Sequence, residues 1–208
     1  MNKKMKLVTQ IVFYGSLWGF IEATLGYVLH LIPIAIAGSI MFPIAGMILY
    51  KAYQKTESKA ALVYIGFVAA TIKSVDFLLP QLSIYKTINP MLSIILESLV
   101  VVLVVTMITS EKPVNKYLAL PIASVSWRTL FIGWMGLQFV LTGNLAPFIK
   151  SFEAGFNFII INGLLSGFIA SALLYIDSKV TFTFKKLDYS PYLATFLLVV
   201  ALIATFTL

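Results

Sequence analysis

The 208-residue sequence has no cysteine, one histidine and few charged side chains. The absence of cysteine excludes disulfides, thiolate metal sites and cysteine nucleophiles. Charged residues make up 11% of the chain, whereas soluble domains contain about 25%. Because 60% of the residues are hydrophobic and the mean hydropathy is +0.98, the composition predicts an integral membrane protein.

Known catalytic and nucleotide-binding motifs are also missing from the sequence. There is no G-x-x-x-x-G-K phosphate loop, so the chain cannot hydrolyse ATP by that route. There is no G-x-S-x-G or H-E-x-x-H motif, and the lone His30 offers no cluster for metal chemistry. We therefore expect no cofactor, no bound metal and no enzymatic activity. Acid–base chemistry by Glu22 with Glu97 in an intramembrane enzyme is the alternative.

Seven apolar stretches approach the ~20 residues that a helix needs to cross a bilayer. Proline, lysine and other polar residues separate them. They predict an all-α membrane bundle of six to seven transmembrane helices, forming one domain over residues 1–208. Pro43 interrupts the second stretch and predicts a kink there. The predicted spans are 7–32, 34–51, 60–79, 90–109, 117–142, 153–177 and 191–208.

The distribution of lysine indicates the orientation of the chain. With a cytoplasmic N-terminus, eleven lysines fall on the inner side of the membrane and only Lys86 and Lys150 on the outer side. Topology thus explains the formal charge of +7, and we expect lipid rather than nucleic acid as a partner. The sequence predicts a multi-pass protein of the cell membrane. The inner lysines are Lys3, Lys4, Lys6, Lys51, Lys55, Lys59, Lys112, Lys116, Lys179, Lys185 and Lys186.

Five ionisable side chains interrupt the predicted spans. Each charge at a bilayer centre costs about 2.5–3.5 kcal/mol, so five facing lipid would cost on the order of 12–18 kcal/mol. That sum is comparable to the stability of a whole domain, so these groups are expected to face protein, water or ligand. The predicted topology places all of them in the middle-to-outer half of the membrane. They are Glu22, Lys73, Asp76, Glu97 and Arg128.

Polar and aromatic residues accompany these charges on the same helical faces. Lys73 and Asp76 are three residues apart and share one face. Asn89 lies eight residues before Glu97, with Ser93 midway, which makes a polar stripe on the fourth span. Trp18 is one turn before Glu22, and its ring offers a flat surface for a bound solute.

Three interpretations of the charged residues remain open. They line a solute-binding pocket open to the outside, they form structural ion pairs, or they relay protons or ions. The five charges sum to −1 when all are ionised, which fits a zwitterionic or cationic solute better than a multiply anionic one. The predicted substrate-binding residues are Glu22, Lys73, Asp76, Glu97, Arg128, Trp18 and Asn89.

Small residues recur at four-residue spacing on two of the spans. Gly15, Gly19 and Ala23 form one such stripe, and Gly163, Gly167 and Ser171 form another. Stripes of this kind let helices approach closely. Packing within the bundle and docking onto another membrane subunit are both open interpretations.

Taken together, these features resemble the substrate-binding S components of energy-coupling factor (ECF) transporters. The resemblance includes the chain size, the basic N-terminus, the stripe Gly15, Gly19 and Ala23 on the first span, and the polar residues of the outer half. It departs from the family in span number, since members usually have six helices, and in the use of glycine where alanine is typical.

The resemblance implies a transport function. A vitamin-like or micronutrient-like solute is captured in the outer half of the membrane and delivered inward with a coupling transmembrane subunit and ATPase subunits. It also implies that Gly15, Gly19 and Ala23 contact the coupling subunit. The alternative is a non-transporting membrane assembly subunit.

Overall fold

The computed structural model describes residues 2–30, 37–80, 82–112, 114–179 and 190–207; the side chains of His30, Ala37 and Lys116 are not described. These residues are almost entirely helical, and no strand occurs among them. The predicted all-α fold is confirmed.

Nine α-helices and four shorter helical turns make up the described chain. Asn2 caps the first helix by accepting hydrogen bonds from the backbone of Lys4 and Met5, and Ser58 caps the fourth through Ala61. The helices are α1 (Lys3–Ile21), α2 (Tyr27–His30), α3 (Ala37–Thr56), α4 (Lys59–Lys73), α5 (Ile84–Ile108), α6 (Lys116–Thr142), α7 (Phe152–Phe156), α8 (Asn162–Lys179) and α9 (Pro191–Thr207). The turns are π-helical at Glu22–Gly26 and Asn157–Ile161 and 3₁₀ at Ser74–Leu78 and Pro147–Ile149.

Several of these elements join into continuous rods. The turn Glu22–Gly26 links α1 to α2, and Asn157–Ile161 links α7 to α8. Five helical stretches are long and apolar enough to cross a membrane, and α9 is a shorter apolar helix of 17 residues. The count of seven spans and the cytoplasmic N-terminus stay predictions. The five stretches are Lys3–Leu29, Lys59–Leu78, Ile84–Ile108, Tyr117–Thr142 and Phe152–Lys179.

The helices form a closed bundle. In order around it, α1, α4, α5, α6, α8 and α3 each pack against the next, α3 returns to α1, and α9 lies against α1. Large apolar side chains point outward, with Phe152 88% and Tyr192 87% exposed. Outward apolar surface on this scale is typical of a lipid-facing bundle.

Several helix boundaries differ from the prediction. Helix α5 begins at Ile84 rather than residue 90, because Pro90 lies within the helix and does not start it. Helix α3 begins at Ala37 and extends to Thr56, with Pro43 inside. Two parts of the prediction lie outside the described residues. One is the junction between the first two predicted spans, at residues 31–36, and the other is the pair Lys185 and Lys186, within residues 180–189.

The stripe on α1 packs inside the bundle. A Cβ added at Gly15 would lie 2.5 Å from Val68 Cβ, and one added at Gly19 would lie 2.7 Å from Ile72 Cδ1. Ala23 is 5% exposed. Helix α4 therefore occupies the face that the family resemblance reserved for a coupling subunit. The implied partner contact through Gly15, Gly19 and Ala23 does not fit this arrangement, and the internal-packing interpretation does.

The second stripe packs inside in the same way. Cβ atoms added at Gly163 would lie 3.0 Å from Val125 of α6, and Gly167 abuts Pro121. The Ser171 hydroxyl donates a hydrogen bond of 2.8 Å to the carbonyl oxygen of Tyr117. The two stripes thus bring α4 against α1 and α6 against α8. Lys73 lies on α4 and Arg128 on α6, so these contacts help to position both charges.

Candidate functional site

Glu22 begins the π-helical turn at the end of α1. Its Oε1 atom accepts a hydrogen bond of 3.2 Å from the indole Nε1 of Trp18, which is completely buried. π-helical turns inside α-helices often occur at functional sites, because they change the direction in which a side chain points. Trp18 and Glu22, which the sequence places one turn apart, are thus in direct contact.

Lys73 and Asp76 form a direct ion pair where α4 ends. Lys73 Nζ lies 2.8 Å from Asp76 Oδ2, and the aspartate is 5% exposed. The three-residue spacing brings the two groups together across the junction between α4 and the 3₁₀ turn. Because each charge has a partner, this pair fits the structural interpretation. Lys73 also interacts electrostatically with Glu22.

Glu97 lies near the middle of α5 and is 3% exposed. Its Oε2 atom is buried and has no hydrogen-bond partner among the described residues. The carboxylate interacts electrostatically with Glu22, which repels it, and with Arg128, which attracts it. It takes part in neither ion pair of the described chain, which are Lys73–Asp76 and Lys51–Asp177.

Arg128, the only arginine in the sequence, is completely buried near the midpoint of α6. Its Nη1 donates to the hydroxyl of Ser124 at 2.6 Å and to the carbonyl of that residue at 3.1 Å. Its Nη2 donates to the carbonyl oxygen of Gly38 at 2.9 Å. The buried Nε atom has no partner in the part of the chain that the structure describes.

An aromatic cluster surrounds the guanidinium. The guanidinium carbon lies 4.5 Å from the ring centroid of Trp127 and 5.6 Å from that of Phe158. Contacts of this kind favour a buried cation. Phe42 and Phe131 complete the cluster against Trp127, with centroid distances of 6.3 and 6.0 Å. The indole Nε1 of Trp127 is buried and lacks a partner among the described residues.

Asn89 belongs to a separate polar contact between α5 and α6. Its Oδ1 atom accepts hydrogen bonds from Trp134 Nε1 at 3.0 Å and from Gln138 Nε2 at 3.4 Å. The hydroxyl of Ser93 bonds to the backbone of its own helix. The polar residues of α5 therefore have different partners. Asn89 links α5 to α6 by hydrogen bonds, whereas Glu97 interacts with the other charged residues.

Electrostatic interactions connect four of the five charged residues one after another, and we call these four residues the charged series. The interacting pairs are Lys73 with Glu22, Glu22 with Glu97, and Glu97 with Arg128. The residues lie on α4, on the π-helical turn after α1, on α5 and on α6. Asp76 joins through its ion pair with Lys73. At one end Lys73 has an anionic partner, Asp76, whereas Arg128 at the other end donates only to a hydroxyl and to backbone carbonyls. Among the described residues, Glu97 and Arg128 form no direct ion pair with each other.

Sequence reasoning missed several groups that contact this series. Gly38 contributes only a carbonyl oxygen, which any residue possesses, so no sequence signal could identify it. Ser124 lies one turn before Arg128, a spacing that could have suggested the contact. Apart from this series, sequence reasoning also missed the ion pair of Lys51 with Asp177, which are 126 positions apart in the chain and 2.6 Å apart in the structure. The described residues contain no group of three side chains suited to hold a metal.

A cleft of about 780 Å³ opens elsewhere on the bundle, where α3 and α5 end. None of the seven predicted substrate-binding residues lines it. Its lining residues are Tyr50, Tyr53, Gln54, Glu57, Ile108, Thr109 and Val114.

No protein family, curated protein or solved structure matches this chain. The resemblance to ECF S components rests on the sequence features given above, and membership of that family stays a prediction.

Proposed function

We propose that this protein is a membrane transport protein that binds a small solute between Glu97 and Arg128. The observation that supports the proposal is a pair of buried polar atoms, Glu97 Oε2 and Arg128 Nε, which have no hydrogen-bond partner among the described residues. Leaving a buried polar group unsatisfied costs about 1–3 kcal/mol, and more for a charged one. A solute that donates to Glu97 and accepts from Arg128 satisfies both atoms.

The other interior charges support this interpretation by contrast. A structural ion pair offsets the cost of burial by direct contact and further hydrogen bonds. Lys73 and Asp76 are in direct contact, with 2.8 Å between Nζ and Oδ2. Glu97 and Arg128 form no such contact with each other, although both are more deeply buried than Lys73. Ionisable groups of this kind inside a membrane bundle typically mark a solute or ion pathway.

Delivery of the solute requires an energy source outside this sequence, because the chain has no phosphate loop. In keeping with the resemblance to S components, the solute enters from the outer side of the cell membrane. A coupling transmembrane subunit and ATPase subunits then drive its release into the cytoplasm. Since helix α4 covers the stripe at Gly15 and Gly19, the contact with a coupling subunit lies on another face.

Native mass spectrometry of the gently purified protein tests the proposal. We expect the wild type to carry a small molecule that Glu97→Gln lacks, while the variant still inserts and purifies as a folded protein. Glu111→Gln is the matched control, because Glu111 is an exposed carboxylate in the loop after α5. The proposal fails if Glu97→Gln keeps the same molecule, or if the wild type carries only lipid and detergent.

A further inference from the structure

We infer that the solute is a zwitterion of the α-amino-acid type, with its carboxylate at Arg128 and Trp127 and its ammonium group at Glu97. This inference rests on the proposed function and specifies its substrate class. It follows from the number, type and placement of the buried polar atoms that lack partners.

The α6 side of the site offers two hydrogen-bond donors. Arg128 Nε and Trp127 Nε1 are both unpartnered among the described residues, and the two side chains are 0% and 3% exposed. The guanidinium carbon lies 4.5 Å from the indole centroid, so the two donors belong to one small region. A carboxylate has two oxygens, which can accept from two such N–H groups, one of them charged.

The α5 side offers the opposite chemistry. Glu97 Oε2 is an acceptor without a donor among the described residues, and Glu22 interacts electrostatically with the same carboxylate. Two neighbouring carboxylates favour a cation between or beside them. An ammonium group supplies three donors and a positive charge, which is what this side lacks.

Simpler solutes leave part of the site unsatisfied. A monoanion leaves Glu97 without a donor, and a simple amine leaves Arg128 Nε and Trp127 Nε1 without an acceptor. The five interior charges comprise two positive and three negative groups, a sum of −1, so a multiply anionic solute would add repulsion. A zwitterion satisfies both sides without changing the net charge.

Calorimetric titration of the purified wild-type protein with the twenty standard L-amino acids tests the inference. We expect at least one of them to bind. For the tightest binder, we expect at least tenfold weaker binding by the amine that lacks its carboxylate and by the acid that lacks its amino group.

Two variants assign the two ends of the solute. Glu97→Gln should weaken binding of the amino acid and leave binding of the acid without an amino group unchanged. Arg128→Gln should weaken binding of the amino acid and leave binding of the amine unchanged. Glu111→Gln should match the wild type with every probe. Circular dichroism and gel filtration of each variant separate lost binding from lost folding.

The inference is overturned if no amino acid binds, or if an analogue lacking either charged group binds as tightly as the amino acid. Failure of the inference and failure of the proposed function are distinguishable. If no amino acid binds but a purified small molecule still depends on Glu97 in native mass spectrometry, only the substrate class is wrong. If neither is observed, both are wrong.

Discussion

The guanidinium of Arg128 donates a hydrogen bond to the backbone carbonyl of Gly38, with 2.9 Å between Nη2 and the oxygen. This contact joins the middle of α6 to the first turn of α3. Because the acceptor is a backbone atom, the positive charge of Arg128 is not neutralised there. Glu97 is the acidic residue that interacts electrostatically with the guanidinium.

We predict that Arg128→Gln destabilises the protein by about 1–3 kcal/mol, because the variant loses buried hydrogen bonds and leaves Glu97 without compensation. The double variant Arg128→Gln/Glu97→Gln should be less destabilised than the sum of the two single variants, with a coupling of about 0.5–3 kcal/mol. Unfolding in mixed detergent and SDS measures all four proteins. Strict additivity would show that the two groups do not interact.

Gly15→Leu tests the packing of α1 against α4. We predict a loss of about 1–3 kcal/mol or more, since the new Cβ would overlap Val68 and the backbone of both helices would have to move apart. The same unfolding assay measures the effect. Gly133→Ala is the control, because no atom lies within 4 Å of a Cβ added at Gly133. If Gly15→Leu were as stable as the control, α4 would not occupy this face.

Asn89→Leu should destabilise the contact between α5 and α6 by about 1–3 kcal/mol. The change removes the acceptor for Trp134 and leaves Gln138, which is 4% exposed, without its partner. We expect a shift in tryptophan fluorescence as well as lower stability. Ser93→Ala is the matched control one turn away, since that hydroxyl bonds only to the backbone of its own helix. Equal stability of the two variants would argue against the interhelical bond.

Exchange of charge tests the ion pair between Lys51 of α3 and Asp177 of α8. The side chains are 36% and 20% exposed, so we predict that Asp177→Asn costs about 0.5–1 kcal/mol. The exchange Lys51→Asp/Asp177→Lys should recover part of that loss. Lys55→Gln, at an exposed position on the same helix, should change stability little. Absence of recovery in the exchanged protein would contradict a direct pair.

Most helix positions could be predicted from hydropathy and from the polar residues between spans. The predicted span 117–142 differs from α6 by one residue, and 191–208 differs from α9 by one. Pro90 misled the prediction for α5, because a proline inside a membrane helix removes one backbone hydrogen bond but does not have to end the helix. The π-helical turns could not be predicted, since sequence patterning does not reveal local hydrogen-bond register.

The candidate site could be predicted in part. The cost of burying charge identified Glu97 and Arg128. The hydrogen bond between Trp18 and Glu22 was not predicted, although the two residues are one turn apart. Spacing could not show which charges pair across helices, so it did not separate the Lys73–Asp76 ion pair from the unpaired Glu97. The small-residue stripe on α1 was equally consistent with an internal and an external partner. Only the packing against Val68 distinguishes the two.

A high-resolution experimental structure of the protein, purified without stripping its bound molecules, tests the central claim most directly. We expect non-protein density between Glu97 and Arg128, within hydrogen-bond distance of Glu97 Oε2 and Arg128 Nε. A direct ion pair between those two side chains, with no density between them, would contradict the account.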